Sequence, residues 1–126
     1  MKYYICYALE DYKKALYIKD LLNDQDVGFV DLVEDRYEVD ILKKVKEEID
    51  SSDVFVILYS FSFPQSLVCN LQLVYVAKTA KQVLCIPIDS SQPDITFGKE
   101  FANNNFKVIS NKNYRTSIQQ ILNNQF

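Results

Sequence analysis

A chain of 126 residues with 48% apolar and 13% aromatic side chains has enough apolar material for one buried core, so residues 1–126 are expected to form a single domain. The formal charge of −3 has the wrong sign for the basic face that nucleic-acid backbones require, and the absence of histidine removes imidazole triads, histidine metal sites and imidazole acid/base chemistry. Neither a signal-peptide pattern nor an apolar run of about 18 residues is evident, so the expectation is a soluble, cytoplasmic protein.

Tyr3–Ala8 (YYICYA) is rich in strand-favouring residues, and Glu10-Asp11 open a helical pattern that places Ala15, Ile18, Leu21 and Leu22 on one face. Asp26-Val27-Gly28 reads as a turn before a short strand over Phe29–Val33, followed by a charged loop, Glu34–Glu38. A second helix follows, with Ile41, Leu42, Val45 and Ile49 as its apolar stripe. Val54–Tyr59 is a nearly continuous apolar run, as expected of a central strand buried on both faces. Pro64 and Ser66 suit the start of a third helix with Leu67, Leu71, Val74 and Tyr75 as its apolar face. Val83–Ile88 is the next strand, its pairing ended by Pro87. A polar stretch with a short helix near Lys99–Asn103, an edge strand over Phe106–Ile109 and a closing helix over Tyr114–Leu122 complete the chain.

Alternating strands and helices predict a parallel five-stranded sheet of order 2-1-3-4-5 covered by helices on both sides, a flavodoxin-like three-layer α/β fold. In that order the connections diverge between strands 1 and 3, and ligands bind there, outside the carboxyl ends of the strands. Ala8, Leu9 and Glu10 would converge on this crevice from one side and Ser60, Phe61, Ser62 and Phe63 from the other, with the third helix bringing Gln72 within reach. Phe61 and Phe63 could stack on a nucleobase or tuck into the core, Tyr7 reads as part core and part pocket floor, and Glu10 and Asp11 serve either a ligand or the helix dipole. A phosphoryl-accepting receiver of the same topology is disfavoured, since Tyr59-Ser60 ends the third strand without an aspartate. Only two glycines occur, so a phosphate-cradling Gly-rich loop is excluded. Cys6, Cys69 and Cys85 lack metal-ligand spacing and lie in apolar stretches, which predicts buried reduced thiols, with Cys69 as a candidate neighbour of the site; no metal or cofactor is expected.

Three segments resemble the Toll/interleukin receptor (TIR) domain family over roughly Tyr3 to Ile88. Tyr4-Ile5-Cys6-Tyr7 with Glu10-Asp11 is similar to the family's opening Phe-Ile-Ser-Tyr and acidic pair, and Ile49–Val56 to its helix-to-strand junction. Ser66, Cys69 and Leu73 fall at the spacing of its Ser-x-Trp-Cys-x-x-Glu-Leu pattern, with Val68 in the tryptophan position and Gln72 in that of the catalytic glutamate. The resemblance implies NAD as substrate, cleaved to nicotinamide and ADP-ribose or a cyclic ADP-ribose signal, in the manner of small prokaryotic antiviral defence proteins that act through a separate effector. It implies Gln72 as the catalytic position and Val68 and Cys69 as part of the pocket wall. A carboxylate about 4 Å from the developing ribose cation, at an effective dielectric of about 20, contributes roughly 4 kcal/mol, on the order of a thousandfold in rate. Glutamine fills that space without the charge, so the chain is expected to bind NAD-like ligands and turn them over poorly. Two origins fit the glutamine: natural loss of the carboxylate, or its replacement in this chain. The alternative is a non-enzymatic TIR scaffold acting through TIR–TIR contacts, with Glu34–Glu38 as a candidate self-association loop.

Overall fold

The computed structural model describes residues 1–22, 26–33, 40–109 and 113–123. Five parallel strands, β1 (Lys2–Cys6), β2 (Asp26–Gly28), β3 (Val54–Tyr59), β4 (Gln82–Pro87) and β5 (Lys107–Val108), form one sheet of order β2-β1-β3-β4-β5. The helices are α1 (Tyr12–Leu21), α2 (Ile41–Asp50), α3 (Leu67–Ala77), α4 (Ile95–Lys99) and α5 (Tyr114–Leu122), with 3-10 turns at Leu9–Asp11 and Phe63–Gln65. The expected three-layer α/β fold and strand order are therefore present. No helix among the described residues is long and apolar enough to cross a membrane.

The period-2 alternation of the strands divides the core into two halves. Tyr4, Cys6, Phe55, Ile57, Val83 and Cys85 point to the face covered by α2 and α3, where they meet Val45, Ile49, Cys69, Leu73 and Val76. Their neighbours Tyr3, Ile5, Val54, Val56, Leu84 and Ile86 point to the opposite face and meet Ala15 and Ile18 of α1 and Ile118 and Ile121 of α5. Every residue of β3 is buried, as its unbroken apolar run requires of a central strand.

Four local expectations are corrected. The second strand is Asp26–Gly28, and Phe29–Val33 is not a strand. Pairing with Lys2–Tyr4 makes this short polar segment a strand. A Cβ on Gly28 would come within 3.0 Å of Glu48 Oε2 and 3.2 Å of Lys2 Cε, so the glycine permits close approach to α2. Pro64 belongs to the separate 3-10 turn, while Ser66 is the α3 N-cap, its hydroxyl accepting from the Cys69 amide at 3.2 Å. The short helix after β4 is Ile95–Lys99, starting where the Asp94 carboxylate caps the Phe97 amide at 2.8 Å.

The fourth correction concerns faces. α3 buries Cys69, Gln72, Leu73 and Val76 and exposes Leu67, Leu71 and Val74; on α2, Leu42 is exposed too. Because α3 is apolar nearly all round, its periodicity cannot select an inner face. The Ser66 cap and the apolar set at Cys69, Leu73 and Val76, spaced i, i+4 and i+7, orient the helix, and Gln72 turns inward with them. Beyond its C-terminus, Asn104 donates through Nδ2 to the carbonyls of Val76, Thr79 and Lys81 at 2.8 to 3.1 Å, tying the end of α3 to the start of β4.

Candidate functional site

The carboxyl ends of β1 and β3 open onto a crevice walled by the two 3-10 turns. Ser60, which directly follows β3 and is buried, donates its hydroxyl to Asp11 Oδ2 and so bridges the two walls of the switch point. Phe61 follows at 72% exposure, its amide donating to Asp89 Oδ2 at 2.9 Å from the end of β4. Burial pushes the Asp89 carboxyl up, but the amides of Phe61 and Ser91 and the nearby Lys14 outweigh it and hold the group below the usual carboxylate range.

Two depressions meet at Glu10. The first, about 520 Å³, is lined by Leu9 and Glu10 on one side and by Phe61, Ser62 and the segment Gln65 to Val68 on the other. The second, about 720 Å³, continues past Glu10 over Asp11, Tyr12, Lys13 and Lys14 toward Leu32 and Val33. Glu10 is exposed between them and accepts no hydrogen bond from a described residue. A free carboxylate, a second carboxylate oriented by a hydroxyl, two lysines and an exposed ring can engage a polar ligand with an aromatic end.

Leu9, Glu10, Phe61, Ser62 and Val68 are thus brought together as expected, with Ser60 behind them. Ala8 is fully buried beneath the site. Tyr7 is not a pocket floor: its hydroxyl donates to the Val30 carbonyl at 2.8 Å and accepts from the Leu32 amide at 2.9 Å, pinning the segment after β2. Phe63 is likewise core, fully buried with its ring centroid 5.9 Å from Tyr59 and 6.4 Å from Phe97. All three cysteines are buried and reduced, as expected, so Cys69 reaches neither depression. Burial pushes the Cys6 thiol well above its ordinary range and Cys85 up to about 12.

Gln72 lines neither depression. It is 4% exposed, its Oε1 accepts from the Tyr4 hydroxyl at 2.7 Å, and it forms part of a groove between α2 and α3. The Glu34–Glu38 loop lies outside the described residues. Lys13, Lys14, Gln65, Ser66 and Asp89 were not picked out as site residues; Asp89, directly beyond the carboxyl end of β4, could have been found from the switch-point rule alone. Among the described residues no group of three or more Asp, Glu or Cys side chains is placed to hold a metal ion.

Comparison with protein-family models and with curated proteins finds no match. Among solved structures the chain is similar to Clostridium botulinum CMP N-glycosidase, BcmB, with a TM-score of 0.65 and 13% sequence identity over 96% of this chain and 98% of that one. At that identity the likeness establishes a shared fold along nearly the whole of both chains.

Proposed function

We propose that this domain binds a nucleotide in the β1/β3 crevice and cleaves the N-glycosidic bond between its base and ribose. The observation that carries the reading is Glu10, a free carboxylate standing between two depressions at the topological switch point. A fold shared with a protein described as a CMP N-glycosidase supports the bond type. The TIR resemblance supplies the narrower substrate, NAD.

In NAD the bond from ribose C1′ to the pyridinium nitrogen breaks with its electron pair going to nitrogen, so nicotinamide leaves neutral and positive charge passes to the ribose. Water adds at C1′ and gives up a proton to a carboxylate, leaving ADP-ribose; attack by an adenine nitrogen instead gives a cyclic product. Glu10 stabilises the ribose charge and Asp11, held by Ser60, orients the ribose hydroxyls or the water. Phe61 offers a face to the base and Lys13 and Lys14 flank the phosphates. Glu10 supplies the charge in this reading, and Gln72, which lines the α2/α3 groove, takes no part in the step.

The test is base release from NAD and from CMP by four proteins: the chain as given, Gln72→Glu, Glu10→Gln, and the two changes combined. The expected result is base release that Glu10→Gln abolishes and that Gln72→Glu does not speed, since Gln72 lies outside the crevice. Inertness of all four with both nucleotides would overturn the reading. It would favour the non-enzymatic scaffold, for which the uncharged Gln72 and the apolar outer face of α3 speak.

A further inference from the structure

The last residues paired between β3 and β4 are Tyr59 and Pro87, and just beyond them the Ile88 amide donates to the Tyr59 carbonyl at 2.9 Å. Past that point the two segments stay joined through a side chain. Phe61 and Asp89 each stand two residues beyond the final pair, and Asp89 Oδ2 accepts from the Phe61 amide at 2.9 Å. The other oxygen of this carboxylate accepts from the Ser91 amide at 2.8 Å, a local turn bond that leaves Oδ2 for a partner 28 residues away. From α1, Lys14 donates to the Ile88 carbonyl at 3.3 Å and brings a positive charge beside the carboxylate.

The carbonyl of Phe61 is held as well, accepting from Gln65 Nε2 at 3.0 Å. Both peptide groups of Phe61 are thus fixed by side chains, while its ring is 72% exposed. The core does not use that ring, since Phe63, two residues on, is the one fully buried. Leaving a large apolar ring in water is unfavourable by itself, and here two side chains order the backbone that presents it. A surface ordered before a ligand arrives loses less entropy on binding, which raises affinity. Across the same depression stands Leu9, 51% exposed.

We infer that Asp89 and Gln65 are positioning residues that act through Phe61, presetting its ring as the face on which the nucleobase stacks, with Leu9 as the opposite wall. The inference rests on the proposed reading of the crevice and names how that site takes the base. Neither residue holds the sugar or the phosphate, so the loss of either weakens ligands that carry a base and spares those that do not.

The experiment is NMR titration of the full chain with CMP, with nicotinamide mononucleotide and with ribose 5-phosphate, which has the sugar and phosphate without a base. The backbone order parameter of Phe61 is read without ligand. The variants are Phe61→Ala, Asp89→Ala, Gln65→Ala and the double change Asp89→Ala with Phe61→Ala, each verified as folded by circular dichroism. Phe61→Ala should weaken nucleotide binding about tenfold, the scale of one base–aromatic stack. Asp89→Ala and Gln65→Ala should each weaken it about threefold, since the ring remains but is no longer preset. Ribose 5-phosphate should bind all variants alike, Asp89→Ala should lower the Phe61 order parameter, and Asp89→Ala should add nothing once the ring is gone. Equal weakening of ribose 5-phosphate, or a further loss in the double variant, would show that Asp89 acts on the whole site rather than through the ring, and would overturn the inference. An unchanged order parameter or unchanged nucleotide affinity in Asp89→Ala would sink it while leaving the crevice reading intact. If the chain as given binds neither nucleotide, the crevice reading fails and the inference fails with it.

Discussion

The crevice at the carboxyl ends of β1 and β3 and the groove between α2 and α3 lie at opposite ends of one helix, and they divide the chain's chemistry between them. The crevice has Glu10, Asp11 and Asp89, hydroxyls, and an exposed ring, all on connections that follow strands. The groove has aliphatic side chains, a lysine rim and the Gln72 amide, all on helices. Gln72, the residue that a sequence motif singles out for the first region, forms part of the second. A motif fixes spacing along a helix, whereas the helix's rotation about its axis decides which region a side chain serves.

The largest expected effect is at the crevice. Replacing Glu10 by Gln removes the free carboxylate and should lower base release on the order of a thousandfold, measured as nicotinamide or nucleobase produced per unit time. Asp11→Asn should act in the same direction but less, since Ser60 still has an oxygen to bond; an equal loss would make Asp11 the principal carboxylate.

Stability changes sharpen the comparison from the groove side. Asn104→Ala removes three hydrogen bonds at the junction of α3 and β4, stranding the Thr79 and Lys81 carbonyls while that of Val76 keeps the Thr79 amide and hydroxyl, and should cost about 3 kcal/mol in urea unfolding. Tyr4→Phe leaves Gln72 Oε1 without its donor and should cost about 1 to 2 kcal/mol, with no effect on nucleotide binding if groove and crevice are independent.

The sheet makes a pH prediction. Burial holds the Cys85 thiol protonated up to about 12, against an ordinary value of 9.0. Above pH 9 the unfolded chain therefore binds fewer protons than the folded one, and stability falls. The contribution is intact below pH 9, declines by about 1.4 kcal/mol per pH unit, and is fully lost once pH passes 12. Cys85→Val should make this part of the profile of folding free energy against pH shallower, with the buried Cys6 thiol keeping its own share.

The strands were legible because Val54–Tyr59 and Val83–Ile88 combine β-branched composition with length, and the alternation of strand and helix left few topologies. Asp26–Gly28 was not, since three residues carrying Asp and Gly have turn chemistry and become a strand only by pairing with β1. Glu10, Phe61 and Ser62 were found because the switch-point rule depends on strand order alone. The inner face of α3 was hidden by its apolar residues on every side, and with it the place of Gln72. Tyr7 and Phe63 were misjudged for another reason: an aromatic residue beside a loop reads the same whether its partner is a ligand or the core.

The most direct test of the division between crevice and groove is amide chemical-shift mapping with ADP-ribose added to the chain as given. Perturbations should centre on Glu10, Asp11, Phe61 and Ser62 and leave Leu71 and Val74 unmoved. Perturbations centred on Gln72 and Tyr75, or none at millimolar ligand, would contradict the placement of the nucleotide in the crevice.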